Sequence, residues 1–190
     1  HRPGASGPCR VGPMSGGVRT ALSVLLAALI GAGAGILAVM ALQGGGEDEA
    51  RLQRPDFTLA ALDGGRRSIN EWDGEVVVLN FWATWCSPCR REIPVFSALQ
   101  DEFADAGIQF LGVAIDDPEP VRGFLAEVPM SYPTLYGMES ALDVAAAYGN
   151  ERGTLPYTVI IGRDGAILER FSGELHEPDL RPLLEDLAGG

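Results

Sequence analysis

Two thiols three residues apart carry the reactive potential of this sequence: Cys86 and Cys89, in Trp85-Cys86-Ser87-Pro88-Cys89. Only a thiolate attacks a disulfide, and a second thiol one helical turn on can close on the mixed disulfide that results. If Cys86 caps a helix, its sulfur faces backbone N–H groups that lack partners and the positive end of the helix dipole. Both favour the anion, and in such motifs the thiol pKa falls from ~8.5 into a range of about 3.5–7.5. Cys86 is therefore the expected nucleophile and Cys89 the resolving thiol. Pro88 stiffens the loop between them, at a point where a first-turn proline forfeits no hydrogen bond. The chemistry implied is thiol–disulfide exchange.

A bare Cys-x-x-Cys also reads as half of a zinc site, but the other half is missing. The only other cysteine is Cys9, and the only histidines are His1 and His176. A four-cysteine zinc site and a scaffold of several disulfides are excluded on that count, and a His-based metal centre or a Cys–His nucleophile has almost nothing to draw on. The expected cofactor is none beyond the Cys86–Cys89 pair itself, and the expected metal is none. Asp116-Asp117 resembles a metal-binding pair, yet Pro118 directly after it fits the start of a helix better.

The elements that position the thiols follow from periodicity. Residues 75–82 form a continuous apolar run, read as a strand buried on both faces. It hands the cysteines to a helix over 87–106, with Ile93, Val95, Phe96, Leu99 and Phe103 at roughly helical spacing. Pro94 is expected to kink that helix and Gly107 to end it. Phe81, Phe96 and Phe110 read as core. Upstream, 57–62 and 66–69 read as a hairpin around Asp63-Gly64-Gly65, with one helical turn at 70–72. Downstream, 108–115 is a second buried strand, 118–128 and 139–148 are helical, and 132–136 is a short strand between them. Residues 157–161 and 166–171 flank the turn Gly162-Arg163-Asp164-Gly165, and 177–187 is a closing amphipathic helix interrupted by Pro182. Strands alternating with helices and ending in a hairpin imply an α/β sandwich around a mixed sheet.

The N-terminal part has another character. Residues 21–42 hold no charge and would span about 33 Å as a helix, enough for a bilayer core. Arg2, Arg10 and Arg19 precede this run and Glu47, Asp48 and Glu49 follow it, which places the N-terminus in the cytoplasm and the rest outside. A cleaved signal peptide is the competing reading, disfavoured by the length of the run; both put the domain outside the cytoplasm. The expected organisation is a cytoplasmic segment at 1–20, a transmembrane anchor at 21–42, a Gly/Glu-rich linker at 43–54 and one domain at 55–190. Met14 makes a natural start, so residues 1–13, Cys9 included, are expected to be upstream translation without a role. All 14 basic residues are arginine, and all 26 acidic residues lie from Glu47 onward. With 11 of the arginines in that same stretch, it carries a net charge of −15. Such a surface argues against nucleic acid as a partner.

The stretch Asn80-Phe81-Trp82-Ala83-Thr84-Trp85-Cys86-Ser87-Pro88-Cys89-Arg90-Arg91-Glu92-Ile93-Pro94 resembles the TlpA/ResA-type thioredoxin-like proteins, membrane-anchored thiol–disulfide oxidoreductases. Gly153-Thr154-Leu155-Pro156-Tyr157-Thr158-Val159-Ile160-Ile161 supports the match, and the resemblance covers roughly 53–188. It implies a thioredoxin fold with an N-terminal β-hairpin and an inserted helix–strand segment at about 117–137. It also implies that Pro156 is cis and lies beside the disulfide, where backbone groups of Leu155 pair with an incoming substrate strand. The sequence alone would be satisfied by an ordinary trans proline. Trp85, Ser87, Pro88, Leu155 and Pro156 are thus the expected substrate contacts, whereas Trp82 is equally explained as core.

Two positions bear on proton transfer. Thioredoxin has a buried Asp six residues before the first cysteine; this chain has Asn80, which cannot accept a proton. Glu92 stands where ResA-type relatives have an acidic residue, and it shares a helix face with Cys89. Glu92 is the expected proton acceptor or pKa modulator for Cys89, against the alternative of a solvated carboxylate balancing Arg90 and Arg91. The expected function is an extracytoplasmic reductase of protein disulfides, recharged by a membrane electron donor. The resemblance points to apocytochrome c or a copper-site protein as the substrate, and the two cysteines alone leave the direction of electron flow open. A peroxiredoxin-type thiol peroxidase and a copper- or haem-delivery protein are the competing readings.

Overall fold

The computed structural model describes residues 52–189. They form, in chain order, strands β1 (Thr58–Ala61) and β2 (Arg66–Ser68), a 3-10 turn (Ile69–Trp72), strand β3 (Val76–Trp82), helix α1 (Ser87–Phe103), strand β4 (Ile108–Ala114), helix α2 (Pro118–Glu127), strand β5 (Thr134–Tyr136), helix α3 (Glu139–Ala147), strands β6 (Tyr157–Ile161) and β7 (Ile167–Ser172), and helix α4 (Glu177–Gly189). The expected anchor at 21–42, the segment before it and Cys9 lie outside the described residues. Among the described residues, no helix is long and apolar enough to cross a membrane.

One sheet joins all seven of these strands in the order β2-β1-β5-β4-β3-β6-β7. β3, β4 and β5 run parallel, and the remaining pairings are antiparallel. Parallel neighbours need a crossover, and α1 and α2 supply the two. The expected N-terminal hairpin is β1–β2, and the expected insertion is α2 with β5, wedged between the hairpin and β4. The expected helix at 87–106 is α-helical to Phe103 and 3-10 from Ala104 to Ala106. It stops at Gly107, whose φ of 72° is open to a residue without Cβ.

All seven residues of β3 are buried. Side chains alternate across a strand, so Val76 and Val78 pack with Phe96, Leu99, Leu180 and Leu184 of α1 and α4. Val77, Leu79 and Phe81 pack on the other face with Ala141 and Ala145 of α3 and with Tyr148. Burying each large side chain contributes about 1.5–3 kcal/mol. Two polar residues interrupt these apolar strands, Asn80 in β3 and Thr158 in β6, and the strand register sets them directly opposite each other. By alternation Asn80 faces α1.

The expected linker end at 52–54 belongs to the fold. Ile167 N–H donates to Leu52 O at 2.8 Å, and Arg54 N–H donates to Gly165 O at 2.9 Å. β7 is an edge strand whose outer backbone groups are free to pair, and this short segment takes them.

Candidate active site

β3 ends at Trp82, and a four-residue loop carries the chain into α1. Cys86 is the N-cap of α1, with extended φ and ψ of −85° and 101°. Its carbonyl accepts the first helical bond from Arg90 N–H at 3.1 Å. Its Sγ accepts Cys89 N–H at 3.3 Å, so the sulfur fills the place that a serine or aspartate oxygen takes at other N-caps. Pro88 falls in the first turn, where it displaces no donor. Cys86 and Cys89 are joined in a disulfide. Cys86 is 5% exposed and Cys89 0%, so solvent and substrate reach the pair from the Cys86 side.

The disulfide sits in an apolar cluster with Trp82, Ala83, Ile93, Ala114, Val121 and Phe124. Trp82 is fully buried against Phe124, ring centroids 5.3 Å apart; the core alternative for this tryptophan is the correct one. Arg90 lays its guanidinium over the outer face of the same Phe124, 5.1 Å from its centroid. Trp85, by contrast, is 67% exposed. Ser87 is exposed as well, and Pro88 is half-buried.

The Leu155–Pro156 peptide is cis. Tyr157 pairs with Phe81 across β6 and β3, so Pro156 comes at the sheet end where the cysteine loop departs, and Leu155 packs on the cysteine cluster. Asn150 clamps this loop with a reciprocal pair: its Nδ2 donates to Thr154 O at 2.8 Å, and its Oδ1 accepts Thr154 N–H at 2.9 Å.

Glu92 is 1% exposed, which rules out the solvated alternative. Its Oε1 accepts Asn80 Nδ2–H at 2.8 Å, and its Oε2 accepts Leu175 N–H at 3.1 Å. Burial pushes its carboxyl up to about 7, against the restraint of those two donors and with a further upward push from Glu174. Arg91 pairs with Glu174 and holds that carboxyl below its ordinary range.

Asp116 does not start a helix. It is buried, and its Oδ2 accepts both Thr84 N–H at 3.1 Å and Thr84 Oγ1–H at 2.6 Å. Its Oδ1 accepts Asp117 N–H at 2.9 Å. Asp117 is the N-cap residue of α2, without a side-chain capping bond. Among the described residues no cluster of three or more His, Cys, Asp or Glu is placed to hold a metal ion. The sequence reading missed Asp116, Asn150 and Thr158 as supports of the site. Thr158 carried a visible signal, a polar residue inside an apolar strand; Asp116 and Asn150 carried only their position at element ends.

A helix-mouth disulfide beside a cis-proline loop, on a mixed sheet with helices on both faces, defines the thioredoxin-like thiol–disulfide oxidoreductases. The model of the AhpC/TSA family matches residues 51–170, and the chain belongs to that family. It is similar to the thiol–disulfide oxidoreductase ResA of Geobacillus thermodenitrificans, 31% identical over 134 residues that cover 70% of this chain and 75% of the relative. The ResA of Halalkalibacterium halodurans is 32% identical over the same length, covering 70% and 74%. Among solved structures, the thioredoxin domain of a thiol–disulfide oxidoreductase from Bacteroides vulgatus superimposes with a TM-score of 0.64, with 25% identity over 73% of this chain and 96% of that one. The chain is a thiol–disulfide oxidoreductase with its own disulfide as redox centre, in preference to the peroxidase and metal-delivery readings.

Proposed function

We propose that this chain reduces protein disulfides outside the cytoplasm, held to the membrane by residues 21–42. The Cys86 thiolate attacks a substrate disulfide, forming one S–S bond and expelling one substrate thiolate. The Cys89 thiol gives its proton to the Glu92 carboxylate, and the resulting thiolate attacks Cys86 Sγ, which breaks the mixed disulfide and releases the second substrate sulfur as a thiolate. Two electrons pass to the substrate, and the Cys86–Cys89 disulfide remains. A dithiol electron donor in the membrane then reduces it. Trp85, Ser87, Pro88, Leu155 and Pro156 contact the substrate, which by resemblance is apocytochrome c or a copper-site protein.

The observation that carries this reading is a helix-mouth disulfide with a buried carboxyl one turn further along the same helix face. The direction is supported by the surroundings of the sulfurs. Strong oxidants of this class stabilise a thiolate in the reduced form; here the apolar cluster around both sulfurs offsets part of the stabilisation that the helix mouth and Cys89 N–H give the Cys86 anion. Equilibration with a glutathione couple tests it: a potential near that of thioredoxin, about −270 mV, is expected, and one near about −120 mV overturns the reductase assignment. Protease accessibility of the domain in intact and opened cells tests the location.

A further inference from the structure

Asn80 is bonded on one side only. Its Nδ2 donates to Glu92 Oε1 at 2.8 Å and to Thr158 Oγ1 at 3.1 Å. Among the described residues its Oδ1 is buried without a partner, an arrangement native interiors rarely tolerate. Both groups facing Nδ2 are ambivalent: a hydroxyl donates or accepts, and a carboxyl accepts when ionised and donates when protonated.

Both hydrogen bonds that Glu92 receives come from donors. Leu175 N–H is a permanent donor to Oε2. Asn80 Nδ2–H is the donor to Oε1, so a proton on Glu92 finds no acceptor among these partners. Rotation of the amide by half a turn removes the conflict. Oδ1 then occupies the place of Nδ2 and accepts from both Glu92 Oε1–H and Thr158 Oγ1–H. The unpaired atom is exchanged, not added, because the other side of the amide has no partner in either orientation.

We infer that Asn80 is a proton-linked rotor: its amide donates to Glu92 and Thr158 when Glu92 is ionised and turns to accept from both when Glu92 is protonated. The inference rests on Glu92 as the proton acceptor of the reaction, and it makes Asn80 a positioning residue. A buried carboxyl can then take up and release a proton with its hydrogen bond kept in both states. The turn also reverses the Thr158 hydroxyl, two residues beyond Pro156, so the proton state of Glu92 is passed to the strand that carries the substrate loop.

Among the described residues, Asn80 is the only side chain hydrogen-bonded to Glu92. Tyr132, from the loop before β5, has a buried hydroxyl without a partner, and its pKa is raised by burial first and by the charge of Glu92 second. Glu174, beside Leu175, is tied to Arg91. Cys89 lies one turn earlier on α1. The raised pKa of Glu92 brings the switch close to neutral pH.

Nuclear Overhauser contacts from the Asn80 side-chain NH2 read the orientation in the oxidised protein. Contacts to the Thr158 side chain are expected at about pH 9 and lost at about pH 5, with a midpoint that follows Glu92. Glu92→Gln supplies an independent lock. Leu175 N–H must still be met by the Gln oxygen, so the Gln NH2 faces Asn80 and holds its amide turned, and the contacts are absent at both pH values. Contacts that persist at about pH 5 in the wild type, or that survive in Glu92→Gln, overturn the rotor. The two readings separate. An amide that stays still while Glu92→Gln slows resolution overturns the rotor and leaves the proton acceptor standing. An amide that turns while Glu92→Gln keeps the wild-type pH–rate profile does the reverse.

Discussion

The Asp116 carboxylate at the end of β4 accepts both the backbone N–H and the hydroxyl of Thr84, two residues before the attacking cysteine. This ties the cysteine loop to the neighbouring strand from below, independently of the helix that follows. Asp116→Ala leaves those donors and Asp117 N–H without their acceptor, and hydrogen bonds to a charged group are worth about 1.5–3 kcal/mol. We expect a loss of about 2 kcal/mol in urea denaturation of the oxidised protein and a smaller loss for Thr84→Val. The double variant should fall short of the sum, since both changes remove one contact; additive losses would show that the two residues act apart.

Glu92 makes folding stability depend on pH. Its folded value is about 7 against an ordinary 4.5. Between these values the folded state binds more protons than the unfolded chain, so stability falls as pH rises through the window. The contribution is fully present below about 4.5 and lost above about 7, a change on the order of 3 kcal/mol. Glu92→Gln should flatten the curve in that window and be the more stable protein at about pH 8. Equal slopes in denaturation midpoints for the two proteins from about pH 5 to 7 would place the ionisation elsewhere.

The fold was legible because its signals are local. The apolar run of β3, the cysteines at its exit and the glycine at 107 each state their element within a few residues. Glu92 was legible as a candidate from its spacing to Cys89, but its burial was not. That burial depends on Leu175, 83 residues further along the chain, which the loop before α4 brings over the carboxyl. Asp116 reads locally as a helix start because Pro118 follows it; its actual partner, Thr84, lies 32 residues away across a parallel strand pair. Residues 52–54 read as linker from composition, and only the open edge of β7 recruits them.

The two tryptophans beside the site separate packing from recognition. Trp82 is fully buried and Trp85 is 67% exposed. Trp82→Ala opens a cavity in the cysteine cluster and should cost about 3–5 kcal/mol. Trp85→Ala should change stability by less than about 0.5 kcal/mol. It should instead raise KM for a protein disulfide, with the reaction toward a small-molecule disulfide nearly unchanged. A stability loss at Trp85 as large as that at Trp82 would contradict its role as a substrate contact.

The roles of the two cysteines differ because their access differs. Cys86 retains a small exposed surface and has Cys89 N–H on its sulfur; Cys89 has no exposed surface. Cys89→Ser should therefore stop after the first step and accumulate a mixed disulfide between Cys86 and the substrate, visible by intact mass. Cys86→Ser should form none on the same timescale, because the remaining sulfur is out of reach of an incoming disulfide. Alkylation of the reduced wild type should label Cys86 well before Cys89, with the rate rising as pH passes the Cys86 pKa. An adduct on Cys86→Ser at a rate matching that on Cys89→Ser would reverse the assignment, since it would mean that the reduced helix mouth opens to Cys89 as readily as to Cys86.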